Sequence, residues 1–259
     1  MNTGQAHSAS STVSASPTAK VAKQAEQRLS AAVASVIKSD DGHAAVAVDD
    51  LTTGQTASYN GGDDFVTASI VKVDILSTLL YQSQQSGDSL SDEQQELATT
   101  MIENSDNDAA SDLYDDDGAA TGIDAANKAF GLTDTAVGTD GYWGLTTTTV
   151  SDQLKVLRQV FTSDSLLTSS SRDYIQNLMS QVEADQRWGV SAAASSGSYL
   201  VKNGWLPNPD LWEINSIGEV IHDGQKLLIV VLSADNETED GGIDLVQQIA
   251  QATANAITS

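Results

Sequence analysis

The sequence predicts an α+β protein in which one antiparallel sheet, drawn from strands near both ends of the chain and flanked by terminal helices, encloses an inserted all-helical lobe. Three observations carry this expectation. Short strand-like runs bounded by turn signals occur near the N-terminus and again toward the C-terminus, the middle is a succession of helical patterns, and amphipathic helical spacing occupies both ends.

The elements follow in order. Residues 1–19 are mostly Ser, Thr and Ala, lack the apolar stretch of a secretory signal, and read as a disordered tether ahead of one folded unit over 20–259. From Lys20 to Lys38, Val21, Ala25, Leu29, Ala32, Val33 and Ile37 recur at helical spacing, and Asp40, Asp41 and Gly42 supply the stop. Strands are expected at Ala44–Val48 and Thr56–Tyr59, joined through Thr53 and Gly54. Helices are expected at Ile70–Gln84, Asp92–Ile102, Ala109–Tyr114, Asp124–Phe130, Val150–Phe161 and Arg172–Val182. Strands return at Tyr199–Lys202, Trp212–His222 and Lys226–Ser233, with Asp223-Gly224 as a hairpin turn, and Ile243–Ile257 closes the chain as a helix. The expected division is an α/β lobe of residues 20–66 and 195–259, a helical lobe of residues 67–194, and an active site in the cleft between them.

Composition narrows the function. The 259 residues are 40% hydrophobic and 19% charged, enough for a sizeable core. Twelve Lys and Arg against 36 Asp and Glu give a formal charge of −24, which repels nucleic acid and anionic membrane surfaces. No cysteine is present, which excludes disulfides, thiolate metal sites and a cysteine nucleophile. The longest apolar run, Leu227–Leu232, is far short of the ~20 residues of a membrane span.

Three short motifs carry chemistry. Ser69-Ile70-Val71-Lys72 is S-x-x-K at the head of an apolar helix, which places a hydroxyl and an amine on one face. A serine needs a neighbour to take its proton, and a lysine does so only when burial lowers its pKa; Ile70, Val71, Val73 and Ile75 supply that burial. The ordinary reading is a helix-capping serine beside a surface lysine. Ser105-Asp106-Asn107 falls in a break between two helices, and serves equally as a helix cap or as a relay hydroxyl with an amide that holds Lys72 and a substrate carbonyl. Lys202-Asn203-Gly204 ends a strand, where a cation can bind a carboxylate and a glycine admits a substrate backbone; alone, the tripeptide is more often a turn.

In this order the three resemble the S-x-x-K, S-D-N and K-T-G set of class A β-lactamases and penicillin-binding proteins. The text around Ser69, Asn203–Pro207 and Asn215–Gly218 is similar to actinobacterial-type β-lactamase-related serine hydrolases. The resemblance implies a three-layer αβα, β-lactamase/transpeptidase-like fold and a cofactor-free serine hydrolase that forms an acyl-enzyme with β-lactams or D-alanyl peptides. By motif, Ser69 is the nucleophile, Lys72 its base, Ser105 the proton relay, Asn107 a substrate contact and Lys202 the carboxylate anchor, with Asn203, Gly204 and Arg187 completing the substrate site. The backbone N–H groups of Ser69 and Trp205 form the oxyanion hole. A monomer at the cell envelope or outside the cell is expected, with a cytoplasmic enzyme as the alternative. A non-hydrolytic penicillin-binding, sensor or wall-binding module is the functional alternative.

Two departures stand out. Asn203 replaces the Thr or Ser usual in K-T-G, and no Glu lies between Phe130 and Thr149, where class A enzymes carry their deacylation base; only Asp134 and Asp140 are acidic there. Other signals are weaker. Asn236, Thr238, Asp240, Gly241 and Ile243 echo part of a calcium loop but meet Gln247 at the closing position, so a helix cap is the better reading. His7, His43 and His222 stand apart without metal-ligand spacing, so no metal is expected, and Asp115–Asp117 reads as a solvated helix end.

Overall fold

A computed structural model describes residues 17–37 and 42–259. In chain order it contains α1 (Pro17–Val36), β1 (His43–Asp50), β2 (Gln55–Tyr59), β3 (Phe65–Val66), a 3₁₀ turn (Ala68–Ile70), α2 (Val71–Ser86), α3 (Asp92–Glu103), α4 (Asn107–Asp116) and α5 (Ala119–Phe130). A 3₁₀ turn (Trp143–Leu145), β4 (Thr147–Thr148), α6 (Val150–Phe161) and α7 (Ser169–Ser180) follow. Two 3₁₀ turns (Ala184–Gln186 and Gly189–Ala193) then lead to β5 (Tyr199–Asn208), β6 (Leu211–His222), β7 (Gln225–Asn236) and α8 (Glu239–Thr258).

The sheet is antiparallel in the order β2-β1-β7-β6-β5, so strands from the two ends of the chain lie side by side, with Ala47 opposite Val230 where β1 meets β7. Leu227 to Leu232 of β7 are buried without a break, which requires cover on both faces. Helices α1 and α8 pack together, α8 lies on β1, β6 and β7, and α6 contacts those same strands. This is the expected α+β layering. The β6–β7 turn is set by Asp223 and Gly224 at φ +47° and +81°, the left-handed pair that matches strand twist in a two-residue hairpin.

Local differences from the expected elements have local causes. Helix α1 begins at Pro17, inside the segment read as a tether; residues 1–16, with His7, and the proposed stop at Asp40 and Asp41 lie outside the described residues. Strands β3 and β4 are two residues each, too short for an alternating pattern, and they brace the region ahead of Ser69. Thr238 caps α8 by accepting the Gly241 N–H at 3.0 Å, while the Asn236 amide donates to Trp212 O of the neighbouring strand at 2.9 Å. His43 stacks on Phe65 beside Asp63, while His222 Nδ1 meets Ala193 O. Among the described residues no three His, Cys, Asp or Glu side chains are placed to hold a metal, and no helix is long and apolar enough to cross a membrane.

The acidic helix end needs a correction. Asp115 and Asp116 are exposed, but Asp117 is buried at 2% exposure, where α4 stops against α2. Gln82 of α2 holds its carbonyl at 2.8 Å, while its carboxylate has no partner among the described residues. Asp74 of α2 is equally buried and faces Asn127 of α5. Burial, with Asp124 and Asp152 nearby, pushes Asp74 up to about 7, and burial plus the charges of Asp74 and Asp116 push Asp117 well above the carboxylate range. Folded-state pKa values above the unfolded ones mean that the unfolded chain loses these protons first, so this pair erodes stability as pH rises from about 4 through 7. Asp117→Asn is therefore expected to melt higher than wild type, by an interval that widens from pH 5 to pH 8. A constant interval across that range in scanning calorimetry would contradict the assignment.

The remaining acidic residues are mostly on the surface, and 12 Lys and Arg against 36 Asp and Glu leave a net charge of −24. Counter-ions relieve such self-repulsion. The melting temperature is expected to rise between low salt and molar potassium chloride, and a flat or falling value would count against a repulsion-limited fold.

Candidate active site

The turn that carries Ser69 is fixed from three sides. Thr67 N–H donates to Thr146 O at 2.8 Å, continuing the β3–β4 pairing. From β6, the Asn215 amide donates to the carbonyls of Val66 (2.8 Å) and Thr67 (3.0 Å). From β5, Gly204 presses so close that a Cβ there would lie 2.7 Å from Ser69 N, 2.8 Å from Ile70 N and 2.8 Å from Thr67 O. Gly204 is thus required by the protein's own nucleophile turn, a closer constraint than the substrate approach expected from sequence. Ala68 is held at φ +46°, a left-handed conformation that a non-glycine residue keeps only under such restraint. Ser69 makes no capping bond to α2, so the ordinary helix-cap reading fails.

Lys72, in the first turn of α2, is fully buried. Its Nζ donates to Ser105 O at 2.6 Å and Asn107 Oδ1 at 2.8 Å, and lies 3.1 Å from Ser69 Oγ and 3.2 Å from Ser105 Oγ. Carbonyl oxygens can only accept, so they take two N–H bonds. A neutral amine then has one lone pair left, and the hydroxyls of Ser69 and Ser105 are the groups able to donate to it. Burial lowers Lys72 to about 7, with the Asp106 carboxylate pulling weakly the other way.

Ser105 sits at φ +56° between α3 and α4. Its neighbour Asp106 caps α4, accepting the Ala109 N–H at 2.8 Å, so S-D-N serves as a helix cap while Ser105 and Asn107 face Lys72. Lys202 reaches Ser105 Oγ from β5 at 2.9 Å and also donates to Asn203 O at 3.0 Å. The K-N-G tripeptide therefore lies within a strand and is not a turn. Lys202 is fully buried, and burial together with the charge of Lys72 holds it well below the usual lysine range. Ser105 thus bridges two amines from different parts of the chain.

Two expected contacts are not made. The Asn203 amide turns away from the cleft and donates to Gln186 O (2.7 Å) and Trp188 O (2.9 Å), leaving no N–H for a substrate. Arg187 is exposed and donates from Nε to Val182 O, with no bond to Lys202 or its neighbours. Trp205 continues β5 past Gly204, and its ring packs edge-on against Trp188 at 6.0 Å.

Sequence reasoning missed Asn215, Gln186 and Trp143. The Trp143 ring covers Lys72 with its centroid 5.0 Å from Nζ, held by an N–H bond to Ser111 Oγ at 3.1 Å. Its only signal was a tryptophan among glycines in Gly141–Gly144. Asp134 and Asp140 are exposed and share no hydrogen bond with Ser69 or Lys72; the Asp134 carboxylate accepts from Thr133 and that of Asp140 from Thr139.

Comparison with known proteins bears on the family and the fold. A family model described as the beta-lactamase enzyme family matches residues 27–94 and 93–257. A Mycobacterium tuberculosis protein named "Putative lipoprotein LppW" is 26% identical over 167 residues, 62% of this chain and 53% of its own, so the chain spans about half the length of the curated relatives it matches. Among solved structures, a class A beta-lactamase from Bacteroides cellulosilyticus superposes with a TM-score of 0.79 at 18% identity, covering 91% of this chain and 99% of the other. A mutant of PBP-A, in an acyl-enzyme complex with penicillin G, gives 0.76 at 18% identity over 91% and 97% of the two chains. With the family model matched from residue 27 to residue 257, the chain belongs to the beta-lactamase enzyme family, and its fold is that of the class A β-lactamases.

Proposed function

We propose that this protein is an active acyl-enzyme hydrolase, with Ser69 as nucleophile, on β-lactams or the D-alanyl peptides that they mimic. The observation that carries the reading is the bonding count at Lys72: two carbonyl acceptors use its N–H groups and aim the remaining lone pair at serine hydroxyls. Ser69 transfers its proton to Lys72 as its oxygen bonds to the acyl carbon. The developing oxyanion lies against the backbone N–H groups of Ser69 and Trp205. As the acyl carbon–nitrogen bond breaks, the Ser105 hydroxyl protonates the leaving amine and is itself replenished from Lys72, at 3.2 Å. Lys202 steadies Ser105 and offers N–H donors for a substrate carboxylate, a role that Asn203 and Arg187 do not share. Asn107 holds Lys72 and borders the substrate carbonyl. The cleft joins the helical lobe of residues 67–194 to the strands of residues 195–259.

A second reading, a module that is acylated and stays so, is favoured by Trp143, which occupies the space over Lys72 without offering a base. In either form the protein acts as a monomer at the cell envelope, in keeping with a relative named as a lipoprotein. A fluorescent penicillin tests the common core: it should label wild type in a denaturing gel and leave Ser69→Ala blank. Equal labelling of both proteins, or none with any penicillin or D-alanyl thioester, would remove the proposal.

A further inference from the structure

Asn203 is fully buried beside Lys202, and its amide nitrogen spends both hydrogens on carbonyls of the segment that precedes β5. That segment is also tied to the other half of the site. Gln186 Nε2 donates to Asn104 O at 3.2 Å, Glu183 N–H donates to Glu103 O at 2.9 Å, and the Asn104 amide donates to the Glu183 carboxylate. Its far end is pinned to the sheet, where Val190 N–H donates to Ser216 Oγ at 2.9 Å and Gly189, at φ +83°, leaves no room for a side chain against Ser216. Asn104 immediately precedes Ser105, whose left-handed backbone must be held by its surroundings.

We propose that Asn203 is a positioning residue: with Gln186 it straps the Ser105 loop to the catalytic strand, and so fixes Ser105 Oγ between Lys72 and Lys202. The chemistry explains the choice of side chain. One amide nitrogen carries two N–H groups and meets two carbonyls at once, whereas the hydroxyl of the Thr or Ser usual in K-T-G donates a single bond. Losing the strap leaves the buried carbonyl of Gln186 and the part-buried carbonyl of Trp188 without this donor, and the loop is free to relax from the geometry that both lysines require.

The inference rests on the acyl-enzyme reading for its kinetic consequence but not for its structural one, and the test separates them. Asn203→Ala, Asn203→Thr, Gln186→Met and the double variant Asn203→Ala/Gln186→Met are compared with wild type in two measurements. In amide hydrogen exchange without substrate, both alanine and methionine variants should deprotect residues 104–107, on the far side of the strap from residue 203. In single-turnover acylation, each single variant should lower the limiting rate ~10–100-fold, as expected for misplacement of about 1 Å, with the half-saturating penicillin concentration changed less than threefold. The double variant should lose no more than the worse single one, because both cut one strap. Asn203→Thr should be impaired nearly as much as Asn203→Ala. Unchanged exchange at residues 104–107, or fully multiplicative losses in the double variant, overturns the strap. A raised half-saturating concentration with an unchanged limiting rate also overturns it, since that is the signature of direct substrate contact. If wild type is not acylated at all, the hydrolase reading fails while the exchange experiment still decides the strap.

Discussion

Replacing Lys72 by methionine is expected to slow acylation of Ser69 by a penicillin ~10²–10⁴-fold, the usual cost of losing a positioned acid–base group. Methionine keeps an unbranched apolar stem, one atom shorter than lysine, but has no lone pair comparable to the amine. The pH profile supplies the sharper signature. Because the active form is the neutral amine and burial holds Lys72 at about 7, wild-type acylation should rise with pH, pass its midpoint near 7 and level off above. The Asp106 carboxylate favours the charged amine, so Asp106→Asn, which still caps α4, should move the midpoint to lower pH. Lys72→Met should show no such limb. Acylation that survives Lys72→Met with the wild-type profile would remove Lys72 from the role of base.

Release of the acyl group is expected to be slow. Hydrolysis of the ester needs a base to activate water, and the loop from Gly131 to Gly144 provides no glutamate. The fold sharpens this expectation, since the loop presents the Trp143 ring to Lys72. That ring is held by Ser111, while Thr146 Oγ1 donates to Trp143 O at 2.7 Å and accepts from Gly138 N–H at 3.0 Å. An indole ring lying against the amine takes no proton and supplies no base. Asp134 and Asp140 point to solvent, so bringing either into the cleft would require the backbone to move. A missing base costs ~10²–10⁴-fold, so penicillin consumption should show a burst of one equivalent followed by a much slower phase. Fast steady turnover that persists in both Asp134→Ala and Asp140→Ala would show that Lys72, or a base not recognised in this loop, completes the cycle.

The legible parts of this protein were those in which one segment carries its own signal. Helix α6 begins and ends where Thr149 and the apolar spacing from Val150 to Phe161 place it, and the Leu227–Leu232 run became the strand buried on both faces. The three motifs announced Ser69, Lys72, Ser105 and Lys202, and the fold brings these four together. What stayed hidden depends on partners distant in sequence. The direction of the Asn203 amide is set by the carbonyls of Gln186 and Trp188, and Trp143 reaches Lys72 only because β3 pairs with β4 across the intervening lobe. Asp117 reads as solvated beside Asp115 and Asp116, yet the end of α4 turns it into the lobe. The requirement for Gly204 was visible as a glycine in a motif, but its closest neighbour is the Ser69 turn itself.

The central claim, a serine paired with a buried lysine that forms an acyl-enzyme without an efficient means of releasing it, is tested most directly by following the intact mass of the protein over time after mixing with excess penicillin. The account predicts that wild type gains the full mass of the penicillin within the burst and keeps it long after free penicillin is removed, while Ser69→Ala gains nothing. Wild type that shows no adduct at any time while the penicillin remains intact, or an adduct carried equally by Ser69→Ala, would contradict it.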